Sequence, residues 1–358
     1  MSSSGGGEGR GALAQVLNES SIQKVIVCGA GVFGLNHLRV YRTLQQLGTP
    51  VRLTGIVETN PLRAAALEQE WSVPVYDSIQ TCLSDYRSDR LQVDAASVCV
   101  PTIGHFQIGS ALLSAGIDVL IEKPIAASLE ESAQLIELAE KQHRILQVGH
   151  LERFNPAVTA LLGLLNGPMF FEAHRLSVFS PRSLDVDVVL DLMIHDLDIV
   201  LALANSPVSQ VHAVGLPILS PKVDIANVRV EFESGCVANF TASRVSTERV
   251  RKLRFFQPHQ YISIDYARQD LLVINVAAKT EAVPSGTTSL AALNMQKPNI
   301  AQGEPLRLEI ESFLECVRRR SSPLVSGKDG HAALKLALRI NSAIAEHALR
   351  AGLDKYTV

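Results

Sequence analysis

The stretch Val25-Ile26-Val27-Cys28-Gly29-Ala30-Gly31-Val32-Phe33-Gly34 is a short β-branched apolar run closing on a Gly-x-Gly-x-x-Gly turn, with helical spacing after it. A run that is apolar at nearly every position reads as a strand buried on both faces of a parallel sheet. In such a turn Gly29 makes the tight bend, Gly31 lets the backbone approach a pyrophosphate, and Gly34 lets helix and strand pack closely. The N–H groups freed at the helix start, around Val32 and Phe33, then face the phosphates, where the helix dipole favours negative charge. A glycine triplet alone also fits an ordinary turn. The next strand argues for more: Val51 to Val57 has that pattern, and Glu58 stands at its end, where an acidic residue meets the adenosine ribose. The whole order predicts a dinucleotide site. Because Glu58 would repel a 2′-phosphate, the expected cofactor is NAD rather than NADP, with Arg63 as the competing phosphate partner.

Outward from this turn, strand and helix patterns keep alternating. Ala95 to Val100 and Asp118 to Ile121 are further buried strands, the second running into Glu122-Lys123-Pro124. Ser128 with Glu131 three residues on is a capping box for the next helix. Ile145 to Val148 closes the series. The expectation is an α/β protein: a Rossmann-type, doubly wound parallel sheet over residues 21–149. From there the texture changes. Period-two runs such as Val228, Val230, Phe232 against Arg229, Glu231, Glu233, with a Ser234-Gly235 turn, predict an open, mostly antiparallel sheet in an α+β domain over 150–358. A helix over Val189 to Ala204 interrupts it, amphipathic helices at Leu306 to Arg319 and Gly330 to Leu349 end the chain, and Ala282 to Gly303 reads as a long loop. Residues 1–20, rich in Ser and Gly, read as a disordered extension without a signal peptide's apolar core.

Composition narrows the function classes. Of 358 residues, 47% are hydrophobic and 19% charged, with a net charge of -3. That balance argues against nucleic acid, which wants a basic face. Arg318-Arg319-Arg320 sits where cations suit a helix C-terminus. No apolar stretch reaches the roughly 18 to 20 residues a membrane span needs. The five cysteines are scattered without a C-x-x-C pair, which suggests free thiols and a cytoplasmic protein.

Two clusters carry chemistry. Lys123 ends a strand at the carboxyl edge of the sheet, where open α/β sheets place ligands, and Pro124 biases it away from helix. In Asp191-Leu192-Met193-Ile194-His195-Asp196-Leu197-Asp198, the spacing puts Asp191, His195 and Asp198 on one helix face, with His195 as a proton acceptor. A core histidine with cap-like aspartates is the bland alternative. No Cys or His cluster accompanies it, so no metal is expected. Arg153, Arg175 and Arg182 fit either a substrate diphosphate or plain exposed charge.

The glycine turn, Pro101-Thr102-x-x-His105, Glu122-Lys123-Pro124 and Asp191-x-x-x-His195 together resemble the Gfo/Idh/MocA oxidoreductases, over nearly the whole chain from about Ser21. The resemblance implies NAD(P)-dependent oxidation or reduction at a secondary alcohol, and a C-terminal sheet that serves as the interface of a homodimer or homotetramer. It implies Lys123, Asp191 and His195 as catalytic residues, and Pro101, Thr102, His105 and Glu122 beside the cofactor with Gly29, Gly31 and Gly34. The run Gly149-His150-Leu151-Glu152-Arg153-Phe154-Asn155-Pro156 is similar to the subgroup acting on UDP-linked N-acetylhexosamines. That likeness implies a nucleotide-sugar substrate oxidised at C3, bound by Arg153, Asn155, Arg182, Asp191 and His195. It also implies a partner aminotransferase that takes the 3-keto product toward a 3-amino sugar of lipid A. An inositol or free-sugar dehydrogenase, or a regulator that binds the nucleotide without turnover, are the rival expectations. The sequence does not decide whether Lys123 or His195 is the base.

Overall fold

The computed structural model describes residues 22–179, 186–276 and 293–353. The extension expected over 1–20, and the first part of the loop expected over 282–303, lie outside these residues. The first half alternates β1 (Gln23–Cys28), α1 (Val32–Gln46), β2 (Val51–Val57), α2 (Pro61–Trp71), β3 (Val75–Tyr76), α3 (Ile79–Arg87), β4 (Ala95–Val98), α4 (His105–Ser114), β5 (Asp118–Glu122), α5 (Leu129–Lys141) and β6 (Leu146–Gly149). The strands form one parallel six-stranded sheet in the order β3-β2-β1-β4-β5-β6. The order reverses between β1 and β4, and a doubly wound sheet binds its ligand at the carboxyl ends of such a pair.

The apolar run of β1 is explained by two cores. Ile26 and Cys28 pack with Leu112, Leu113 and Leu135 of α4 and α5. Val25 and Val27 face Leu38, Tyr41 and Leu44 of α1 on the other side. The Ser128 hydroxyl accepts from the Glu131 N–H at 3.1 Å, while the Glu131 carboxylate reaches the Ala127 N–H, one residue before the cap.

The second half runs α6 (Pro156–Leu161), β7 (Phe170–Val178), α7 (Ile194–Ala204), β8 (Val208–Leu216), β9 (Ile225–Phe232), β10 (Val237–Ser246), β11 (Val250–Gln257), β12 (Gln260–Asp265), β13 (Asp270–Val276), β14 (Leu293–Gln296), α8 (Pro305–Arg319) and α9 (Gly327–Ala351). Eight strands form a sheet in the order β14-β13-β12-β11-β7-β10-β9-β8, antiparallel except for β7 against β10. β14 lies inside the stretch that reads from sequence as loop; its four residues are all exposed, so no buried face marks them as strand. The alternating residues Phe171, Ala173, Val228, Val230, Ala238, Phe240, Leu253 and Phe255 turn one face of this sheet onto α7 and α9. Burying each such Phe side chain stabilises the fold by about 1.5–3 kcal/mol.

The C-terminal helices return to the first sheet. Leu306, Ile310 and Phe313 of α8 complete the core beside β1. The start of α9 lies so close to β6 that a Cβ at Gly330 would stand 2.6 Å from Val148. Among the described residues no helix is long and apolar enough to cross a membrane.

Candidate active site

The glycine turn has the geometry its spacing predicts. Gly29 has φ +87°, its N–H bonds the Val57 carbonyl at 2.8 Å, and an added Cβ would meet Val100 at 2.8 Å. At Gly34 an added Cβ would stand 1.9 Å from the Gly29 oxygen, so helix and strand touch there through bare backbone. Gly31 has nothing within 4 Å of where its Cβ would be, and it caps α1 without a side-chain hydrogen bond. Val32 is 68% exposed, and Phe33 stacks on His37 with ring centroids 5.6 Å apart. An open glycine surface over uncapped helix N–H groups is what a dinucleotide pyrophosphate needs. Glu58 is buried and braces this turn: its carboxylate accepts from the Ala30 N–H at 3.1 Å and the Asn60 N–H at 2.8 Å, with Arg63 Nη1 at 3.4 Å.

Beyond β4, Pro101 and Thr102 enter a short 3-10 turn and line a cleft of about 450 Å³ between the two sheets. His105 borders the cleft but is 1% exposed, and its ring nitrogens lie 2.8 Å from the Pro124 carbonyl and 2.9 Å from the Val100 carbonyl. Burial holds its pKa down, against the pull of those carbonyls. The resemblance sets His105 beside the cofactor; its ring is wedged between these two carbonyls, and the single N–H of the neutral ring donates to one of them, bridging the Lys123–Pro124 turn and the segment after β4. Glu122 likewise bonds His37 Nε2 at 2.9 Å and packs where a Cβ at Gly149 would meet its carboxylate at 2.7 Å.

Lys123 reaches across to the second sheet's helix. Its Nζ donates to the Asp191 carbonyl at 2.6 Å and lies 3.7 Å from Asp191 Oδ1. Burial lowers the Lys123 pKa, and the Asp191 carboxylate opposes that shift. Asp191 belongs to a π-helical turn, Val189–Met193, that precedes α7, in which the Ile194 N–H reaches back to the Val189 carbonyl. Such a turn carries one residue more than an α-turn, and it rotates the later residues relative to a regular helix. Asp191 and His195 both line the cleft, whereas Asp198, three residues after His195 in the regular part of the helix, does not. Asp198 lines a different cavity beside Asp329 and lies 3.7 Å from Arg153. The expectation that all three share one face is corrected accordingly.

His195 stands edge-on to His150, with ring centroids 6.4 Å apart. Its Nδ1 is buried without a hydrogen-bond partner among the described residues, as are both nitrogens of His150. Burial first, then the Lys123, Arg175, His150 and Arg251 charges, hold the His195 pKa well below its ordinary value. Burial and Lys123 push His150 down to about 3. Both rings are neutral near pH 7. Asp191 makes its contact with Lys123 rather than with the His195 ring.

Two expected substrate ligands are directed elsewhere. Arg153 turns to Asp198 and, at 3.4 Å, to the Leu324 carbonyl. Asn155 is 1% exposed; it caps α6 at the Ala157 N–H and donates to Glu152 and the Tyr266 carbonyl. Sequence spacing places them in the same run as Leu151 and Glu152, which do reach the cleft. Arg182 lies outside the described residues. Arg175 is buried beneath the cleft, gripped at 2.8 and 3.1 Å by Asp196 and at 3.2 Å by Glu152. Arg251, at the start of β11, also lines the cleft, and no sequence motif singles it out. Among the described residues no group of three His, Cys, Asp or Glu side chains is arranged to hold a metal ion.

A dinucleotide turn facing a lysine, a neutral imidazole and a carboxylate defines an NAD(P)-dependent oxidoreductase acting on a CH–OH group. The chain belongs to the Gfo/Idh/MocA family: residues 23–150 match the oxidoreductase family with an NAD-binding Rossmann fold, and residues 171–258 match the GFO/IDH/MocA C-terminal domain. It is 34% identical over 315 residues to the UDP-N-acetylglucosamine 3-dehydrogenase of Acidithiobacillus ferrooxidans, covering 88% of this chain and 96% of that one. A solved structure of that enzyme superposes with a TM-score of 0.80 at 33% identity, over 90% of this chain and 97% of that one. The scyllo-inositol 2-dehydrogenase (NAD(+)) of Bacillus subtilis is 25% identical, covering 86% of this chain and 91% of that one. A levoglucosan dehydrogenase in complex with NADH and levoglucosan shares the fold, with a TM-score of 0.78 at 18% identity, over 90% of this chain and 97% of that one.

Proposed function

We propose that this protein oxidises the C3 hydroxyl of UDP-N-acetylglucosamine to the 3-keto sugar with NAD. The observation that carries the reading is the convergence of Lys123 and His195 on one cleft beside the glycine turn, in a chain with near full-length likeness to an enzyme of that activity. Gly29, Gly31, Gly34 and the N–H groups of Val32 and Phe33 would hold the pyrophosphate, with Pro101 and Thr102 flanking the nicotinamide. When bound, the cofactor supplies the hydride acceptor. His195, neutral, accepts the hydroxyl proton at Nε2, the nitrogen left toward the cleft. Lys123, kept charged by Asp191, donates to the substrate oxygen as negative charge develops there. The buried Glu58 supports NAD over NADP, since its carboxylate would repel a 2′-phosphate, although Arg63 stands beside it.

The division at 149/150 makes the first part the cofactor domain and the second the substrate domain. The outer face of the second sheet, where Phe256 is 39% exposed and stacks with Phe170 and Tyr261, supports a homodimer or homotetramer built through that sheet. A 3-keto sugar suits a cytoplasmic aminotransferase as next enzyme, giving a 3-amino sugar for lipid A.

The test is cofactor reduction, followed by the absorbance of the reduced nicotinamide, with UDP-N-acetylglucosamine, myo-inositol and glucose supplied separately. Reduction with the UDP-sugar alone supports the reading. Reduction with inositol or glucose instead assigns a different sugar alcohol, and NAD binding without any turnover assigns a regulator.

A further inference from the structure

Among the cations lining the cleft, Arg251 differs from Lys123 and Arg175 in that its guanidinium makes no hydrogen bond or ion pair with a described side chain. Of the carboxylates lining the cleft, Glu122 bonds His37, Asp191 holds Lys123, and Glu152 pairs with Arg175. Arg251 has no hydrogen-bonded or ion-paired side-chain partner among the described residues. It lies two residues before the buried Leu253 and four before the buried Phe255, so strand alternation puts it on the helix-covered face of the sheet. At that end of β11 the face opens into the cleft, where Arg251 is exposed.

Its direct partner across the β7–β11 ladder is Arg175. Like charges directly opposite on a sheet are unfavourable, and Arg175 already has both its carboxylates. Partial burial first, then the Arg175 cation, hold the Arg251 guanidinium below its ordinary pKa, with Glu152 opposing. The strand therefore presents to the cleft a guanidinium fork whose donors no described side chain engages, a geometry that takes two phosphate oxygens at once.

We propose that Arg251 binds the diphosphate of a nucleoside-diphosphate sugar substrate and so selects such sugars over neutral ones. This rests on the proposed nucleotide-sugar oxidation, and it gives the substrate the phosphate contact that Arg153, turned away to Asp198, does not provide. The cofactor pyrophosphate has its own cradle at the glycine turn, so Arg251 serves the substrate alone.

The experiment uses the full chain loaded with NAD and its variants R251Q and R251K. It measures calorimetric titration with UDP, the KM and kcat for UDP-N-acetylglucosamine, and the NAD dissociation constant. Loss of a charge-assisted phosphate contact predicts that R251Q weakens UDP binding and raises KM by about 10- to 100-fold, with R251K in between and NAD binding unmoved. Unchanged UDP affinity in R251Q overturns the proposal, and so does a NAD affinity that falls by the same factor, which would assign Arg251 to the cofactor. A wild-type protein that binds UDP through Arg251 but does not oxidise the UDP-sugar upholds the diphosphate subsite and removes the substrate reading. One that binds no UDP overturns the subsite itself.

Discussion

The three glycines of the first turn do different jobs, and two substitutions separate them. In Gly34→Ala the new methyl would stand 1.9 Å from the Gly29 oxygen and 3.4 Å from Cys99 Cβ. A carbon–oxygen contact of about 3.3–3.6 Å is the normal close approach, so α1 and the end of β1 must part by roughly 1.5 Å. Overpacking of this kind costs about 1–3 kcal/mol and sometimes more; with backbone on the opposing side, about 3 kcal/mol is expected. In Gly31→Ala nothing lies within 4 Å and φ is -67°, so alanine fits. Stability should change by less than about 1 kcal/mol, a gain of about 0.4–1 kcal/mol through the unfolded chain set against alanine's poorer N-capping of α1. Its methyl instead fills the space a pyrophosphate must enter. Losing one charge-assisted hydrogen bond at about 1.5–3 kcal/mol weakens NAD about 10- to 100-fold. Urea unfolding and calorimetric titration with NAD, run on both variants, read the two effects separately. A Gly31→Ala protein that binds NAD like the wild type, or a Gly34→Ala protein of full stability, would refute this division of labour.

Other expectations come from the same geometry. Lys123→Met keeps length and removes the charge, and should lower kcat by about 10²–10⁴ while calorimetry shows NAD still bound; near-normal turnover would remove Lys123 from the chemistry. Because His195 must be neutral to accept a proton, and its pKa is held well below 6.5, first by burial, kcat/KM should stay level as pH falls through 6.5 and decline only below it. An inflection at or above 6.5 in the pH profile would contradict that. Asp198 is 2% exposed and burial raises its pKa from 3.8 to about 7. The contribution of its protonated form is therefore full below pH 3.8 and lost as pH rises through 7. Relative to wild type, Asp198→Asn should gain about 4 kcal/mol of stability between about pH 4 and pH 8, and parallel stability–pH curves in urea would argue against the buried neutral carboxyl.

The cofactor half of the molecule is legible in the sequence because its determinants are local. A buried strand, a glycine turn and an acid at the next strand's end succeed one another in the chain, and Gly29, Gly34 and Glu58 sit where that order places them. Lys123 is legible for the same reason, as the end of a strand. The cleft residues of the second half of the chain depend on which way side chains turn, and local spacing fixes that poorly. His195 and Asp198 both lie in the regular α7, three residues and so about 60° apart around its axis, and that offset takes Asp198 into the neighbouring cavity. Arg153 and Asn155 stand within a 3-10 turn and at a helix cap, so being next to Leu151 and Glu152 in sequence does not put them in the cleft. Arg251 carries a readable signal, since extending the alternation of Leu253 and Phe255 back by two residues puts it on the inner face. The pairing of Arg175 with Asp196 and Glu152 joins three separate segments, and no spacing announces it.

The proposed reaction removes a hydride from C3 of the sugar bound between Lys123 and His195, and UDP-N-acetylglucosamine deuterated at C3 tests that step. With NAD present, mass spectrometry should find deuterium in the reduced cofactor, and turnover should be slower than with the protiated sugar. Reduced cofactor that carries no deuterium, with the label still in the sugar, would contradict that step.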